Sequence, residues 1–107
     1  MENINLSQLE QAILDNGNLD KQSIQFVATR TSSPEILRIL DETYVGNSVF
    51  NWVYISAKKL YIANAIAGNQ YTPLDILKRY IKWSLLGHSL GHSFGKVAYQ
   101  NKKSRTK

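Results

Sequence analysis

The chain has 107 residues, of which 43% are apolar and 20% are charged, and this size and composition predict one small folded domain and exclude a disordered chain. The absence of cysteine excludes disulfides, thiolate metal sites and cysteine nucleophiles. The net charge of +5 is unevenly divided, because residues 1–45 hold seven acids and three bases, a net charge of −4, whereas residues 46–107 hold ten bases and one acid, a net charge of +9.

Helix start signals recur along the chain, and no stretch shows the sustained alternation of a half-buried strand. Ser7 and Glu10 have the spacing of a capping box, in which the hydroxyl and the carboxylate satisfy free amides of the first turn. Asp20 can cap a second helix that runs to about Thr29. These signals predict two helices in the acidic half of the chain.

Residues 33–35 and 72–75 repeat one start signal, which combines a hydroxyl cap, a proline at the first helical position and an acid near the positive helix end. The first of them predicts a helix to about Tyr44. Segment 49–67, between the two, is apolar on nearly every side and predicts a helix wedged between neighbours. It can be one long helix or two, with the break near residues 58–59.

The C-terminal part of the chain predicts less regular structure. Residues 87–95 include three glycines and are expected to be irregular or weakly helical, with a short helix possible around Lys96 to Tyr99. Residues 101–107 are polar and basic with nothing to bury, so they predict a mobile tail. We therefore expect one helical domain over residues 1–100.

Two stretches are similar when they are offset by 40 residues, namely residues 27–37 and 67–77. Each contains a helix end with small residues, a polar turn, a hydroxyl residue, a proline, an acid and an apolar pair. The second stretch resembles the variant leucine-rich repeat, and the matching residues are Ala67, Gly68, Asn69, Thr72, Pro73, Asp75, Ile76 and Leu77. The first keeps Ala28, Ser32, Glu35, Ile36 and Leu37, with its proline one position late.

The resemblance implies a right-handed stack of short helices that serves as an interaction scaffold, without a catalytic activity common to the family. It covers about a third of the chain, and the family's repeat is shorter than the 40-residue offset seen here. We predict an all-α protein, a short helical-repeat stack of about five to six helices, with an irregular antiparallel helical bundle as the alternative.

Two short patterns suggest chemistry, and both lack the groups that the chemistry requires. Residues 87–91 match the sequence motif of the serine-hydrolase nucleophile elbow, with Ser89 at the position of the nucleophile. That elbow needs a parallel sheet and a downstream acid, and no acid follows Asp75 in the sequence. His88 and His92 could share a helix face, but two imidazoles without further ligands do not make a metal site. We expect no enzymatic activity, no cofactor and no bound metal.

The basic and aromatic residues of the second half carry the functional prediction. On the helix that follows residue 72, three cations share a face with one aromatic residue, and further cations extend the positive charge towards the C-terminus. These residues are Lys78, Arg79, Lys82 and Trp83, followed by Lys96, Lys102, Lys103 and Arg105. Cations neutralise phosphates, and an exposed ring stacks on a base or an acidic partner. The competing interpretation is a solvated helix face with Trp83 in the core.

We predict a non-catalytic interaction module that binds another macromolecule, in the first place a protein, with nucleic-acid binding through the basic and aromatic face as the alternative. Its acidic and basic halves also permit self-association. The acidic N-terminal residues 1–5 do not resemble a secretory signal, and polar residues interrupt the most apolar stretch. We therefore expect a cytoplasmic protein without a membrane span.

Overall fold

The structure is a computed structural model that describes residues 5–17, 19–46, 57–86 and 92–105. Within these ranges the chain forms six α-helices and one π-helical turn and no β-strand, so the all-α prediction is confirmed. Of the predicted segment 49–67, residues 49–56 lie outside the described ranges and the rest is helical. The elements are α1 (Leu6–Leu14), α2 (Lys21–Arg30), α3 (Pro34–Leu40), the π-helical turn (Asp41–Val45), α4 (Ala57–Gly68), α5 (Leu74–Leu86) and α6 (His92–Arg105).

The first helix begins earlier than its predicted cap. The side chain of Asn5 accepts a hydrogen bond from the backbone N–H of Gln8 at 2.9 Å, and the Gln8 side chain accepts one from the backbone N–H of Asn5 at 3.2 Å. The predicted capping box of Ser7 and Glu10 is therefore wrong, because the helix begins two residues upstream, where a carboxamide pair forms the capping box. Glu10 instead accepts a hydrogen bond from the hydroxyl of Thr31.

The second and third helices begin where the sequence predicts. The side chains of Asp20 and Ser33 each accept a hydrogen bond from the backbone amide three residues further on, and Pro34 is the first residue of α3. The predicted continuation to Tyr44 takes the form of the π-helical turn, which begins with Asp41. A wider turn of this kind shifts the register of the helix, and here it starts at a buried acid.

Helix α5 begins one residue later than predicted. The hydroxyl of Thr72 donates to the backbone carbonyl of Ile66 in α4, so it does not cap α5, and Pro73 precedes the first helical residue, Leu74. The predicted cap at Thr72 is wrong because its buried hydroxyl bonds instead to a carbonyl in the last turn of α4. Helices α3 and α5 begin at Pro34 and Leu74, which are 40 residues apart.

The last helix is much longer than the sequence predicts. It spans His92–Arg105, so the expectations of a short helix around Lys96 to Tyr99 and of a tail that starts at residue 101 are both wrong. Gly95 lies buried inside this helix, although glycine is a poor helix former. Packing against α4 and α5 explains the difference, because tertiary contacts override the weak propensity of the segment.

The described residues form one continuous hydrophobic core that draws side chains from α1 to α6. Helix α6 packs against α4 and α5, and α4 packs against α2 and the π-helical turn. The core consists of Leu9, Ile13, Ile24, Val27, Ala28, Ile36, Leu37, Leu40, Val45, Ile62, Ala63, Ile66, Ala67, Ile76, Leu77, Tyr80 and Ala98. Among the helices in the described ranges, none is both long enough and apolar enough to cross a membrane.

Candidate interaction surfaces

Arg79, one of the predicted binding residues, forms an ion pair inside the protein. Its guanidinium donates to the carboxylate of Asp41, whose side chain is only 1% exposed. The hydroxyl of Tyr80 donates to the same carboxylate at 2.7 Å. Burial, and then the negative charge of Asp41, raises the pKa of the Tyr80 phenol well above its ordinary value. Arg79 therefore balances a buried charge and joins α5 to the π-helical turn.

A second ion pair joins α3 to α5 on the surface. Both terminal nitrogens of Arg38 donate to the carboxylate of Asp75, at 3.0 and 2.9 Å. The hydrogen bonds with Arg38 lower the pKa of the Asp75 carboxyl. Asp75, the single acid of the basic half of the chain, is thus used to hold two helices together.

Arg105, at the C-terminal end of the predicted basic face, also has a structural contact. Its guanidinium donates to the backbone carbonyls of Thr72 at 2.6 Å and Asn69 at 3.1 Å, and to the side-chain oxygen of Asn101 at 3.2 Å. Burial lowers the pKa of the Arg105 guanidinium below its ordinary value. Arg105 fixes the end of α6 against the turn between α4 and α5.

The lysines of the predicted face lie mainly at the surface. Lys78, Lys82, Lys96 and Lys103 are exposed, and Lys102 is half-buried. The side chain of Trp83 lies outside the described part of the structure, so its predicted exposure next to Lys82 stays a prediction. The structure thus assigns the two arginines of this face to internal contacts and leaves most of its lysines exposed.

Helix α6 places an exposed tyrosine between two of these lysines, which the sequence analysis missed. Tyr99 is 51% exposed and lies three residues after Lys96 and four before Lys103, so the three side chains share one helix face. The helical spacing would have indicated this arrangement if the helix had been predicted to continue past residue 99. The sequence instead predicts a short helix that ends near Tyr99 and a tail from residue 101, which places Lys103 outside the helix.

A second exposed surface lies on α2, in the acidic half of the chain, and the sequence analysis missed it as well. Phe26 of α2 and Tyr71 of the turn between α4 and α5 are 37% and 46% exposed. The guanidinium of Arg30 lies 4.9 Å from the centre of the Phe26 ring. At the start of α2, the ammonium of Lys21 lies 4.2 Å from the centre of the exposed ring of Tyr61. Contacts at these distances are cation–π interactions.

Two open clefts run along this part of α2 and meet at Thr29 and Arg30. One, of about 290 Å³, is lined by Thr29, Arg30, Thr31, Gly68, Asn69, Gln70 and Tyr71. The other, of about 280 Å³, is lined by Gln22, Gln25, Phe26, Thr29 and Arg30. Neither cleft has an acidic residue in its lining. We call this region, formed by Lys21, Gln22, Gln25, Phe26, Thr29, Arg30, Tyr61, Gln70 and Tyr71, the α2 surface.

Asn69 holds the floor of the first cleft in place. Its side-chain nitrogen donates to the backbone carbonyls of Ala28 and Thr31 at 2.9 and 2.8 Å, and its side-chain oxygen accepts from the backbone N–H of Tyr71 at 2.7 Å. A single buried carboxamide therefore satisfies carbonyls at the end of α2 and orients the turn that carries Tyr71. The position of Tyr71 relative to α2 is fixed by these bonds.

Asn101 has the same role at the end of α4. Its side-chain nitrogen donates to the backbone carbonyls of Ala67 and Asn69, at 2.8 and 2.7 Å, so it caps the end of α4 as Asn69 caps the end of α2. The ends of α2 and α4 are thus each bonded to a carboxamide from a later part of the chain. Asn69 belongs to the residues that resemble the variant leucine-rich repeat, whereas Asn101 lies in the segment predicted to be a tail.

The two sequence patterns that suggest chemistry, around Ser89 and at His88 and His92, fall largely outside the described part of the structure. Residues 87–91, with Ser89 and His88, lie outside the described ranges, and so does the side chain of His92. In the part of the chain that is described, acids and histidines form no group that could hold a metal ion. No family model, no curated protein and no solved structure matches the chain.

Proposed function

We propose that this chain is a non-catalytic helical interaction module that binds another protein through the α2 surface. The observation that carries the proposal is the set of exposed aromatic side chains along α2, in which Lys21 contacts Tyr61, Arg30 contacts Phe26, and Tyr71 lines the cleft that Arg30 also lines. Aromatic residues and arginine are the residues most enriched at the centres of protein interfaces. These side chains also lie over a hydrogen-bonded framework, so little ordering is needed when a partner binds.

The proposal places the binding face away from the one predicted first. Arg79 and Arg105 already bond to groups within the protein, which removes the two residues best suited to bidentate recognition from the basic face. Arg30, by contrast, is exposed at the end of α2. The α2 surface therefore offers both aromatic rings and an accessible guanidinium, which the basic face does not combine.

The proposal also keeps the helical-repeat arrangement as the scaffold. Helices α3 and α5 begin 40 residues apart, and Asn69 and Asn101 each cap the end of a preceding helix. This recurrence supports a stack of similar units in which each unit is bonded to its neighbour. In such stacks the binding residues lie on a surface shared by successive units.

Nucleic-acid binding on α6 is the second candidate function, and one observation favours it. Tyr99 lies exposed between Lys96 and Lys103 on one helix face, an arrangement that provides a ring for base stacking and two cations for phosphates. Lys78 and Lys82 on α5 would add to the positive charge. Binding of this kind would weaken steeply with added salt.

Site-specific photocrosslinking in the native host tests the two candidates together. A photoreactive phenylalanine analogue is placed at Phe26 or Tyr71 on the α2 surface and, as a matched control, at the similarly exposed Tyr99. We expect discrete protein adducts from positions 26 and 71 and no adduct of the same mass from position 99. Adducts to nucleic acid from position 99 alone would favour the second candidate, and protein adducts that are equal at all three positions would contradict the proposal.

A further inference from the structure

We infer that the ligand of the α2 surface is an extended acidic segment of the partner protein, one carboxylate of which pairs with Arg30 in the cleft between the end of α2 and the turn that carries Tyr71. This inference rests on the proposed function and specifies the chemistry of its partner. It follows from the contacts of Arg30, from the charges around the two clefts and from the polar side chains that line the clefts.

Arg30 differs from every other arginine of the chain in its contacts. Arg38, Arg79 and Arg105 each donate to an acid or to backbone carbonyls. Within the described residues Arg30 has the ring of Phe26 as its contact and no hydrogen bond or ion pair. Stacking on a ring immobilises the guanidinium and leaves its N–H edge accessible, which is the geometry that a carboxylate needs for two parallel hydrogen bonds.

The charges around the clefts favour an anionic group. The lining contains Arg30 and no acid. Two acids adjoin this region without belonging to the lining of either cleft, since Asp20 caps the start of α2 and Glu10 accepts from the hydroxyl of Thr31. Lys21 supplies a second cation at the start of α2, beside Asp20. Within the clefts, a negatively charged ligand therefore meets the charge of Arg30 without an opposing carboxylate in the lining.

The polar groups of the clefts favour a peptide over a nucleic acid. Gln22, Gln25 and Gln70 present carboxamides, each of which has both donors and an acceptor. An extended peptide offers N–H and C=O groups that match such side chains, whereas a phosphate backbone offers acceptors only. Nucleic-acid binding depends on several cations that each neutralise a phosphate, whereas the α2 surface has two cations. The exposed rings of Phe26 and Tyr71 add apolar contacts for side chains next to the carboxylate.

Fluorescence anisotropy with the full chain and short labelled peptides tests the inference. One peptide alternates glutamate with leucine, a second has glutamine in place of every glutamate, and a thymidine oligonucleotide serves as the nucleic-acid probe. We expect the acidic peptide to bind roughly tenfold more tightly than the glutamine peptide, as expected for a charge-assisted hydrogen bond pair. Arg30→Gln should remove that preference, and Arg30→Lys should restore part of it.

Two matched controls separate the α2 surface from general charge and hydrophobicity. Lys96→Gln removes one exposed cation from α6, as Arg30→Gln does from α2, and should leave the affinity for the acidic peptide unchanged. Tyr71→Ala should weaken binding, whereas Tyr99→Ala, at a similarly exposed tyrosine, should not. Thermal unfolding of each variant shows whether it is folded. An equal loss of affinity in Lys96→Gln and Arg30→Gln would overturn the assignment to Arg30.

The remaining outcomes distinguish this inference from the proposed function. Equal affinity for the acidic and glutamine peptides would overturn the role of the carboxylate. Tighter, Arg30-dependent binding of the oligonucleotide would replace the peptide with a nucleic acid. If neither peptide binds while photocrosslinking from positions 26 and 71 captures protein, the inference fails and the proposed function stands. If photocrosslinking captures no protein, the proposed function itself fails.

Discussion

Asp41 is the only charged residue among the described ones whose side chain lies fully within the core, and its partners explain why it is tolerated there. It accepts hydrogen bonds from the guanidinium of Arg79 and from the hydroxyl of Tyr80. Two hydrogen-bond donors, one of them positively charged, compensate for the burial of this carboxylate. Removing the carboxylate destabilises the fold, because its partners then lose this acceptor. The site is therefore a sensitive point of the fold.

Asp41→Asn should lower the free energy of unfolding by about 2–4 kcal/mol, because it removes the buried carboxylate that pairs with the partly buried guanidinium of Arg79. Urea denaturation followed by circular dichroism measures the change. Asp75→Asn is the matched control, since Asp75 and Arg38 form a pair of the same type whose side chains are 62% and 43% exposed. Its removal should cost less than about 1 kcal/mol. Equal losses in the two variants would contradict the structural role of Asp41.

Tyr80 should make the protein sensitive to high pH. Its folded-state pKa is raised by burial and by Asp41, so its contribution to stability is fully present below the ordinary pKa of 10.0 and is lost as the pH rises above that value. We expect the wild-type protein to lose stability above pH 10.0 more steeply than Tyr80→Phe does. Denaturation curves across this range measure the slopes. Tyr99→Phe removes an exposed phenol, so its free energy of unfolding should fall with pH as steeply as that of the wild type. If the stability of Tyr80→Phe falls as steeply as that of the wild type, the prediction is refuted.

At the scale of helices, the sequence predicts best those starts that depend on neighbouring residues alone. The cap at Asp20 and the cap and proline at Ser33 and Pro34 are found as predicted, because their bonds are made within the first turn. The start at Thr72 and the length of α6 depend on partners more than five residues away in the chain. Local spacing contains no information about such partners, and this is why both predictions are wrong.

Asn69 joins the end of α2 to the turn before α5, so its replacement should affect both helices. Asn69→Ala leaves buried carbonyls of Ala28 and Thr31 without their donor and should lower the free energy of unfolding by about 2–3 kcal/mol. Asn69→Asp should be worse at neutral pH, because a carboxylate is repelled by the same carbonyls. Urea denaturation of both variants tests this. Gln70→Ala, at the exposed neighbouring position, should change stability by less than about 0.5 kcal/mol.

The end of α6 should contribute to stability, in contrast with the tail that the sequence suggests. A chain that ends after Gln100 loses the bonds of Asn101 to Ala67 and Asn69 and those of Arg105 to the turn before α5. We expect a loss of about 2 kcal/mol in the free energy of unfolding, measured by urea denaturation. Asn101→Ala in the full chain should account for a large part of it. Gln100→Ala, at an exposed position, is the control, and an unchanged truncated chain would restore the interpretation as a tail.

At the scale of the whole molecule, the charge distribution of the sequence does not indicate which cations the fold uses for its own contacts or which exposed rings it places along one helix. The basic half predicts a binding face that includes Arg79 and Arg105, and in the structure both arginines bond to groups within the protein. The α2 surface instead combines Phe26 of the acidic half with Tyr61 and Tyr71 of the basic half, which come from three separate segments. Only the fold places these rings along one helix, so no pattern within one segment could have identified the surface.

Exposed charges of opposite sign should make self-association depend on salt. In the described part of the chain, four acids of the first 45 residues are exposed, and so are four lysines of the basic half, namely Asp15, Asp20, Glu35 and Glu42, and Lys78, Lys82, Lys96 and Lys103. Attraction between the acidic side of one copy and the basic side of another is screened beyond about 10 Å at 0.1 M ionic strength but extends to about 30 Å at 0.01 M. Light scattering should therefore give a mean mass above that of the monomer at low salt and a return to it at high salt. Replacing Lys78 and Lys82 by glutamate should reduce the mean mass at low salt, because the basic side of one copy then attracts the acidic side of another less strongly. A monomeric mass at every salt concentration would show that the opposed charges of the two halves are too dispersed to bind each other.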